Sequence, residues 1–359
     1  MRTKFLLIVF FFGYLAQAQT DSLRLMFAGD MMNHGPQIKS AYQVQSNSYD
    51  YTENFQYVDS IFRQADFVIA NLETTLGVKP YSGYPQFSAP VEFPLYAKKA
   101  GINIMATANN HSCDKGLKGI VNTLDVLDTL NIIHFGTYRN VVERDSLTPL
   151  IIEKNNIKIV LLNYSYGTNG IAVPRPAVVN LIDKEQIKTD IEKAKKHLPD
   201  AIIVFLHWGT QYKYKPNQSQ KDLVKFLHEQ GVNIIIGSHP HVLQPVEYEY
   251  DVLNDIDYLT VYSLGNFISN QRKYPRDGAM IFSMNLTKDE QGKIRIKKYE
   301  SIPVWVYKYQ KDKKNHYEIL PVEDFKLRPD YFQKNSDYQK MMRYYKFFKQ
   351  MFDVKLFSQ

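Results

Sequence analysis

The 359-residue sequence predicts an α/β fold in one domain: a layered sheet structure of alternating strands and helices, widened near its C-terminus by antiparallel strands and closed by a helical tail. Three observations predict it. Short aliphatic and aromatic runs with the length of buried strands alternate with stretches that are apolar at helical spacing. After Asn266 that alternation gives way to a period of two. Seven apolar runs recur, and six of them end in a polar cluster, where open α/β sheets carry their ligands.

Taken in order, the chain begins with Arg2 and Lys4 ahead of an apolar stretch over residues 5–15, followed by the small, polar, small pattern Ala16-Gln17-Ala18. This predicts a signal peptide over residues 1–18 and cleavage before Gln19, which places the mature chain outside the cytoplasm, periplasmic or secreted. The stretch is shorter than the roughly 20 apolar residues of a spanning helix, and no second stretch approaches that length, so no membrane span is expected in the mature chain. Cys113 is the only cysteine, which leaves neither a disulfide nor a lipid-bearing thiol after the cleavage site.

The run over residues 23–28 leads to Gly29-Asp30, and later runs lead to Asn71-Leu72-Glu73 and Asn109-Asn110-His111. Residues 201–206 lead to His207-Trp208-Gly209, and residues 232–236 to Gly237-Ser238-His239-Pro240-His241; Ser263-Leu264-Gly265-Asn266-Phe267 closes the series. Between them, helical faces are predicted from Phe55, Val58, Ile61 and Phe62; from Ile120, Leu124 and Leu127; from Ile187, Ile191, Ala194 and Leu198; and from Leu223, Phe226 and Leu227. Residues 280–286 and 294–309 then read as strands around a turn at 288–292. The tail over 331–357 reads as one or two helices packed through Tyr338, Met341, Met342, Tyr345 and Phe348. Clusters spread from Asp30 to Asn266 imply one cooperative unit, expected over 19–310, with 311–359 as a helical extension packed on it.

Without Arg2 and Lys4, 42 basic residues face 37 acidic ones, a mild and dispersed excess. The groups Lys193, Lys195, Lys196 and Lys311, Lys313, Lys314 read as solvated faces, and no stacking aromatics accompany them, which argues against a nucleic-acid partner.

One rim bearing Asp, Glu, Asn and several His is a metal site. Carboxylate, amide oxygen and imidazole together suit Mn, Zn or Fe, whereas calcium would want more oxygen ligands. On an extended or turning backbone, His239 and His241 can point the same way. His134, His197, His228 and His316 stand alone and read as ordinary core or surface histidines.

The ordered set GD, NLE, NNH, HWG, HPH and SLGNF, with Asp114-Lys115-Gly116 and Ser82-Gly83-Tyr84-Pro85 followed by Phe87, resembles the CapA family over about residues 23–305. These are bacterial proteins associated with poly-γ-glutamate capsule synthesis. The resemblance implies the fold of the calcineurin-like metallophosphoesterases, a four-layer αββα sandwich. It also implies a divalent metal pair held by Asp30, Glu73, Asn110, His207, His239 and His241, with Glu73 bridging and His111 protonating the leaving group. Tyr84, Lys115 and Arg276 are candidate contacts to an acidic substrate, each more readily read as an ordinary surface residue. Arg276 is the best placed, in an Arg-Asp-Gly loop with a guanidinium that matches a carboxylate or phosphate fork.

Two departures stand out. The wider superfamily opens with Asp-x-His, but Met32 occupies the histidine position, leaving His34 as a substitute ligand or a loop residue; and Thr210-Gln211 follows HWG where a glutamate is usual. Two classes of function follow: a metal-dependent hydrolase or transferase on an anionic polymer or small anionic substrate, or a noncatalytic capsule assembly or export factor with envelope partners, whose metals shape a binding surface. His111 beside Asn110 favours the first and Met32 the second. A nucleotidase is a weaker third reading, because no second nucleotide-binding domain is evident.

Overall fold

The computed structural model describes residues 21–352. The segment expected to be a signal peptide, residues 1–18, lies outside them.

Two sheets stack face to face. One has seven strands in the spatial order Lys314–Pro321, Ile294–Lys311, Gly278–Lys288, Ser22–Met31, Phe67–Leu72, Ile104–Ala106 and Ile133–Phe135. Its last four strands run parallel, Gly278–Lys288 pairs antiparallel with Ser22–Met31, and the first three pair antiparallel with one another in turn. The other has six, in the order Leu150–Lys154, Ile157–Ser165, Ala201–His207, Ile234–Ser238, Ile256–Leu264 and Leu243–Asp251, parallel through its middle and antiparallel at both edges.

The layering follows from side-chain alternation. Along a strand, successive residues point to opposite faces. Leu25, Phe27 and Ile69 therefore meet Leu161, Ile203 and Phe205 between the sheets. Their neighbours Met26, Ala28 and Val68 turn outward onto Phe55, Phe93, Ala97 and Leu127 of the helices covering the first sheet. Val160, Ile202 and Val204 turn outward onto Ile187, Ile191, Leu223 and Leu227 of the helices covering the second. The result is the expected four-layer α/β/β/α sandwich.

The sheets approach closely at their carboxyl rims, where an ideal Cβ on Gly29 would lie 2.0 Å from the Gly265 carbonyl oxygen. Only glycine permits this approach. The Asp30 N–H donates to that same carbonyl at 2.9 Å, fixing one rim against the other.

Three elements differ from expectation. The helical face of Phe55, Val58 and Phe62 is divided between two single turns, Thr52–Phe55 and Asp59–Phe62, although all three side chains are buried. The helix Lys184–Lys195 stops before Leu198, which has a φ of 50° and is 83% exposed; Pro199 biases the preceding residue away from helix, so the periodicity extended one turn too far. The sheet also continues past residue 310. Asp312 and Lys313, both with positive φ, form a two-residue hairpin turn between paired Lys311 and Lys314, and Lys314–Pro321 adds an edge strand before the tail. Its lysine-rich turn reads as a solvated face in the sequence.

The helix Asn335–Phe352 follows. Met341, Tyr344 and Phe348 join the core between the sheets, closing its open side. Gly278 lacks the Cβ that would otherwise lie 2.5 Å from the Tyr344 ring, and the Tyr344 hydroxyl donates to the Ala279 carbonyl at 2.6 Å.

Candidate metal centre

Parallel strands end at the same rim, and six of them lead into the predicted clusters. Asp30, Glu73 and Asn110 rise from the seven-stranded sheet; His207, His239 and His241 rise from the six-stranded one. All six are buried. Two groups of potential ligand atoms lie within 4.8 Å of one another: Glu73 with His207 and His239, and Glu73 with Asp30 and His241. Glu73 belongs to both.

The crowding around His207 Nε2 shows what the pocket suits. Asn110 Oδ1 lies 2.9 Å away, His239 Nδ1 3.1 Å and Glu73 Oε1 3.6 Å. A single ring proton can satisfy one of these lone-pair atoms and not three. His207 Nδ1 lies 3.0 Å from Ser238 Oγ, which can accept its proton and leave Nε2 free to act as a ligand. His241 Nδ1 lies 2.9 Å from Asp30 Oδ2 and 3.0 Å from Asn266 Oδ1. Both oxygens of Glu73 are buried with no hydrogen-bond partner, a costly arrangement for a carboxylate unless a cation completes it. The residues therefore fit divalent-metal binding.

The electrostatics agree. Burial, then the neighbouring Asp30 carboxylate, pushes the Glu73 carboxyl well above its usual range. Burial, then the other imidazoles, pushes His207 and His239 well below theirs. A cation here would stabilise the Glu73 carboxylate, and imidazoles that stay neutral are competent ligands.

The backbone is bent to deliver these groups. His239 and His241 have φ of 94° and 57°, left-handed values on either side of Pro240. Such conformations cost on the order of 1–3 kcal/mol each and concentrate at functional sites. Here they aim both imidazoles inward.

In front of the cluster opens a cavity of about 730 Å³, lined among others by His111, Asp114, Tyr84, Tyr212 and Arg276. His111 presents Nδ1 to Asp114 Oδ2 at 2.7 Å, and its ring meets Phe87 edge-on. Tyr84 is 76% exposed at the mouth. The Arg276 guanidinium stacks on the Tyr212 ring, 3.1 Å from its centroid. Lys115 is not among the lining residues. It occupies the N-cap of the helix Gly116–Thr129. Met32 and His34 also line the cavity, but His34 lies outside both ligand groups: its Nδ1 accepts the Asn270 N–H at 3.3 Å and its ring packs edge-on against Phe87. Gln211, in place of the glutamate, reaches His241 Nε2 at 3.5 Å.

Several residues in this network have no individual role assigned from sequence. Asn71 donates to Asp30 Oδ1 at 2.8 Å and touches His207 Nδ1 at 3.3 Å, bridging the two sheets; it lies inside the Asn71-Leu72-Glu73 cluster, which was its only signal. Tyr166 covers the histidines, its ring 4.5 Å from that of His239.

Comparison with known proteins places these features in a family. The family described as "Bacterial capsule synthesis protein PGA_cap" matches residues 24–271. The PGA biosynthesis protein CapA of Bacillus subtilis is 30% identical over 311 residues, which span 80% of this chain and 76% of that protein. The capsule biosynthesis protein CapA of Bacillus anthracis is 27% identical over 266 residues, 70% of this chain and 61% of that protein. Among solved structures, the calcineurin-like phosphoesterase YfkN from Bacillus subtilis superposes with a TM-score of 0.45 at 12% identity, covering 90% of this chain and 96% of that one. The NAD nucleotidase of Haemophilus influenzae gives a TM-score of 0.49 at 11% identity, covering 92% and 60%.

Proposed function

The chain belongs to the PGA_cap family of bacterial capsule synthesis proteins, and we propose that it works outside the cytoplasm as a dimetal-dependent hydrolase or transferase on an anionic envelope polymer or a smaller anionic substrate. The observation that carries this reading is Glu73: a fully buried carboxylate, with no hydrogen-bond partner at either oxygen, shared by two ligand triads.

Asp30, Glu73, Asn110, His207, His239 and His241 would hold a pair of divalent ions, with Mn, Zn or Fe matching the donor set. Such ions supply Lewis acidity and lower the pKa of a water. The protein supplies the rest. His111, oriented through Nδ1 by Asp114, keeps Nε2 for delivering a proton to the departing oxygen or nitrogen. Tyr166 and Phe87 exclude water from one side of the imidazoles. Arg276, preorganised on Tyr212, meets a negative group of the substrate.

The purified chain, loaded with Mn and then Zn, should turn over bis(p-nitrophenyl) phosphate or a γ-linked glutamate oligomer, and chelation should abolish that turnover. Absence of turnover on both would favour the second reading, a capsule assembly factor whose metal site shapes a binding surface. Met32, buried against the cavity in place of an imidazole, supports that alternative.

A further inference from the structure

The family match ends at residue 271, and the strongly cationic part of the cavity wall begins there. Arg272, Lys273 and Arg276 all line the cavity from one irregular segment, residues 270–276, between Asn266 and the strand Gly278–Lys288. Among the described residues, neither Lys273 nor Arg276 forms an ion pair, whereas Arg272 points inward, over the Trp305 ring and toward Asp277.

This segment is tied at two levels. At the site, Asn266 Nδ2 donates to the Arg276 carbonyl at 2.7 Å while Asn266 Oδ1 contacts His241, so the arm's position is referred to the metal ligands. Behind, it rests on the C-terminal helix: Tyr274 packs against Phe347, with ring centroids 6.1 Å apart, and carries the Arg343 guanidinium 3.8 Å from its own centroid. Phe347 also meets Tyr214, at 5.5 Å, from the segment after His207. The helix is itself fixed by buried Met341, Tyr344 and Phe348.

We infer that residues 270–276 form a recognition arm for a second anionic group of the substrate, a carboxylate away from the reacting bond, with Arg276 and Lys273 as its contacts and the C-terminal helix as its positioning element. This rests on the function proposed above and adds where selectivity for charge resides. A cation stacked on an aromatic ring loses little rotamer freedom on binding an anion, and an unpaired cation at a cavity wall has no ion pair to break first. Tyr274, Arg343 and Phe347 touch no substrate; they act through the arm.

The test is calorimetric binding of a γ-linked glutamate tetramer, and of the same tetramer with its carboxyls amidated, to the full Mn-loaded chain. The acidic tetramer should bind about 10-fold or more tightly, the size of one charge-assisted hydrogen bond. Arg276→Gln and Lys273→Gln should each shrink that preference and together remove it, with metal content unchanged. Phe347→Ala should weaken the acidic tetramer alone, and Phe347→Tyr should restore it, which general loss of stability would not produce. Equal binding of the two tetramers by the wild type, binding of neither, or a preference that survives in the double variant overturns the inference. The proposed function fails by a different reading: Glu73→Ala retaining its metal, measured by elemental analysis.

Discussion

Asp114 and His111 form a buried pair in which Asp114 Oδ2 lies 2.7 Å from the imidazole Nδ1 and also accepts the Phe87 N–H at 2.6 Å. The carboxylate is thus fixed from two directions, and the ring it holds has one nitrogen left for the cavity. A side chain so oriented, adjacent to Asn110 yet outside both ligand triads, suits the proposed role of proton donor.

His111→Ala should therefore keep its metal and lose turnover by roughly 10²- to 10⁴-fold, the usual contribution of a general acid. His207→Ala should lose both. Metal content and initial rates measured on the same preparations separate the two, and a fully active His111→Ala would remove this residue from the mechanism.

Alanine at Asp30, Glu73, Asn110, His207, His239 or His241 should lower metal content more than alanine at His134, His197 or His228. His134 pairs with Asp128 and His228 with the Val232 carbonyl, both remote from the cluster. Equal metal content across all nine variants would end the assignment.

The pH dependence has a definite sign. Burial lowers His34 from 6.5 to about 4, with Gln37 partly opposing and the His241 and His111 charges adding to the fall; His207 and His239 are depressed further in the same direction. A depressed folded-state value means that stability present above 6.5 is lost as the pH falls, because the unfolded imidazoles take protons first. For His34 that loss runs from 6.5 down through about 4. Glu73, raised from 4.5, runs the opposite way: its protonated form stabilises the metal-free fold at low pH, and that contribution fades as the pH rises through its folded value. Mn affinity should increase with pH as the Glu73 proton is displaced. Thermal melts of the chelated chain at pH 7 and pH 5 should show a lower Tm at pH 5, with a smaller difference in His34→Gln. An unchanged difference would mean that His34 is not among the groups responsible.

The mature N-terminus should be Gln19, in the periplasmic or secreted fraction, because a basic start, a short apolar stretch and Ala16-Gln17-Ala18 precede it. Terminal sequencing that finds Met1 on exported protein would refute this.

The alternation of strands and helices and the polar clusters at strand ends were legible because each rests on local chemistry: an aliphatic run, a helical period, an imidazole at a strand end; the four layers and the choice of six candidate ligands came with the family resemblance. What escaped depends on partners distant in the chain. Asn71 is polar without being distinctive until His207 arrives from 136 residues away. Lys115 and Arg276 are both candidate anion contacts in the sequence, with Arg276 the better placed, but only Arg276 lines the cavity, held there on a tyrosine ring. The strand Lys314–Pro321 was hidden by the lysines of the turn before it.

The candidate ligands divide evenly between the sheets, Asp30, Glu73 and Asn110 on one and His207, His239 and His241 on the other. An ion bound there is a rivet through both plates of the sandwich, so its binding free energy resists their separation as well as serving chemistry. Chelation would then soften the molecule as a whole. Scarcity of metal would be felt as shortened protein lifetime as well as slowed turnover.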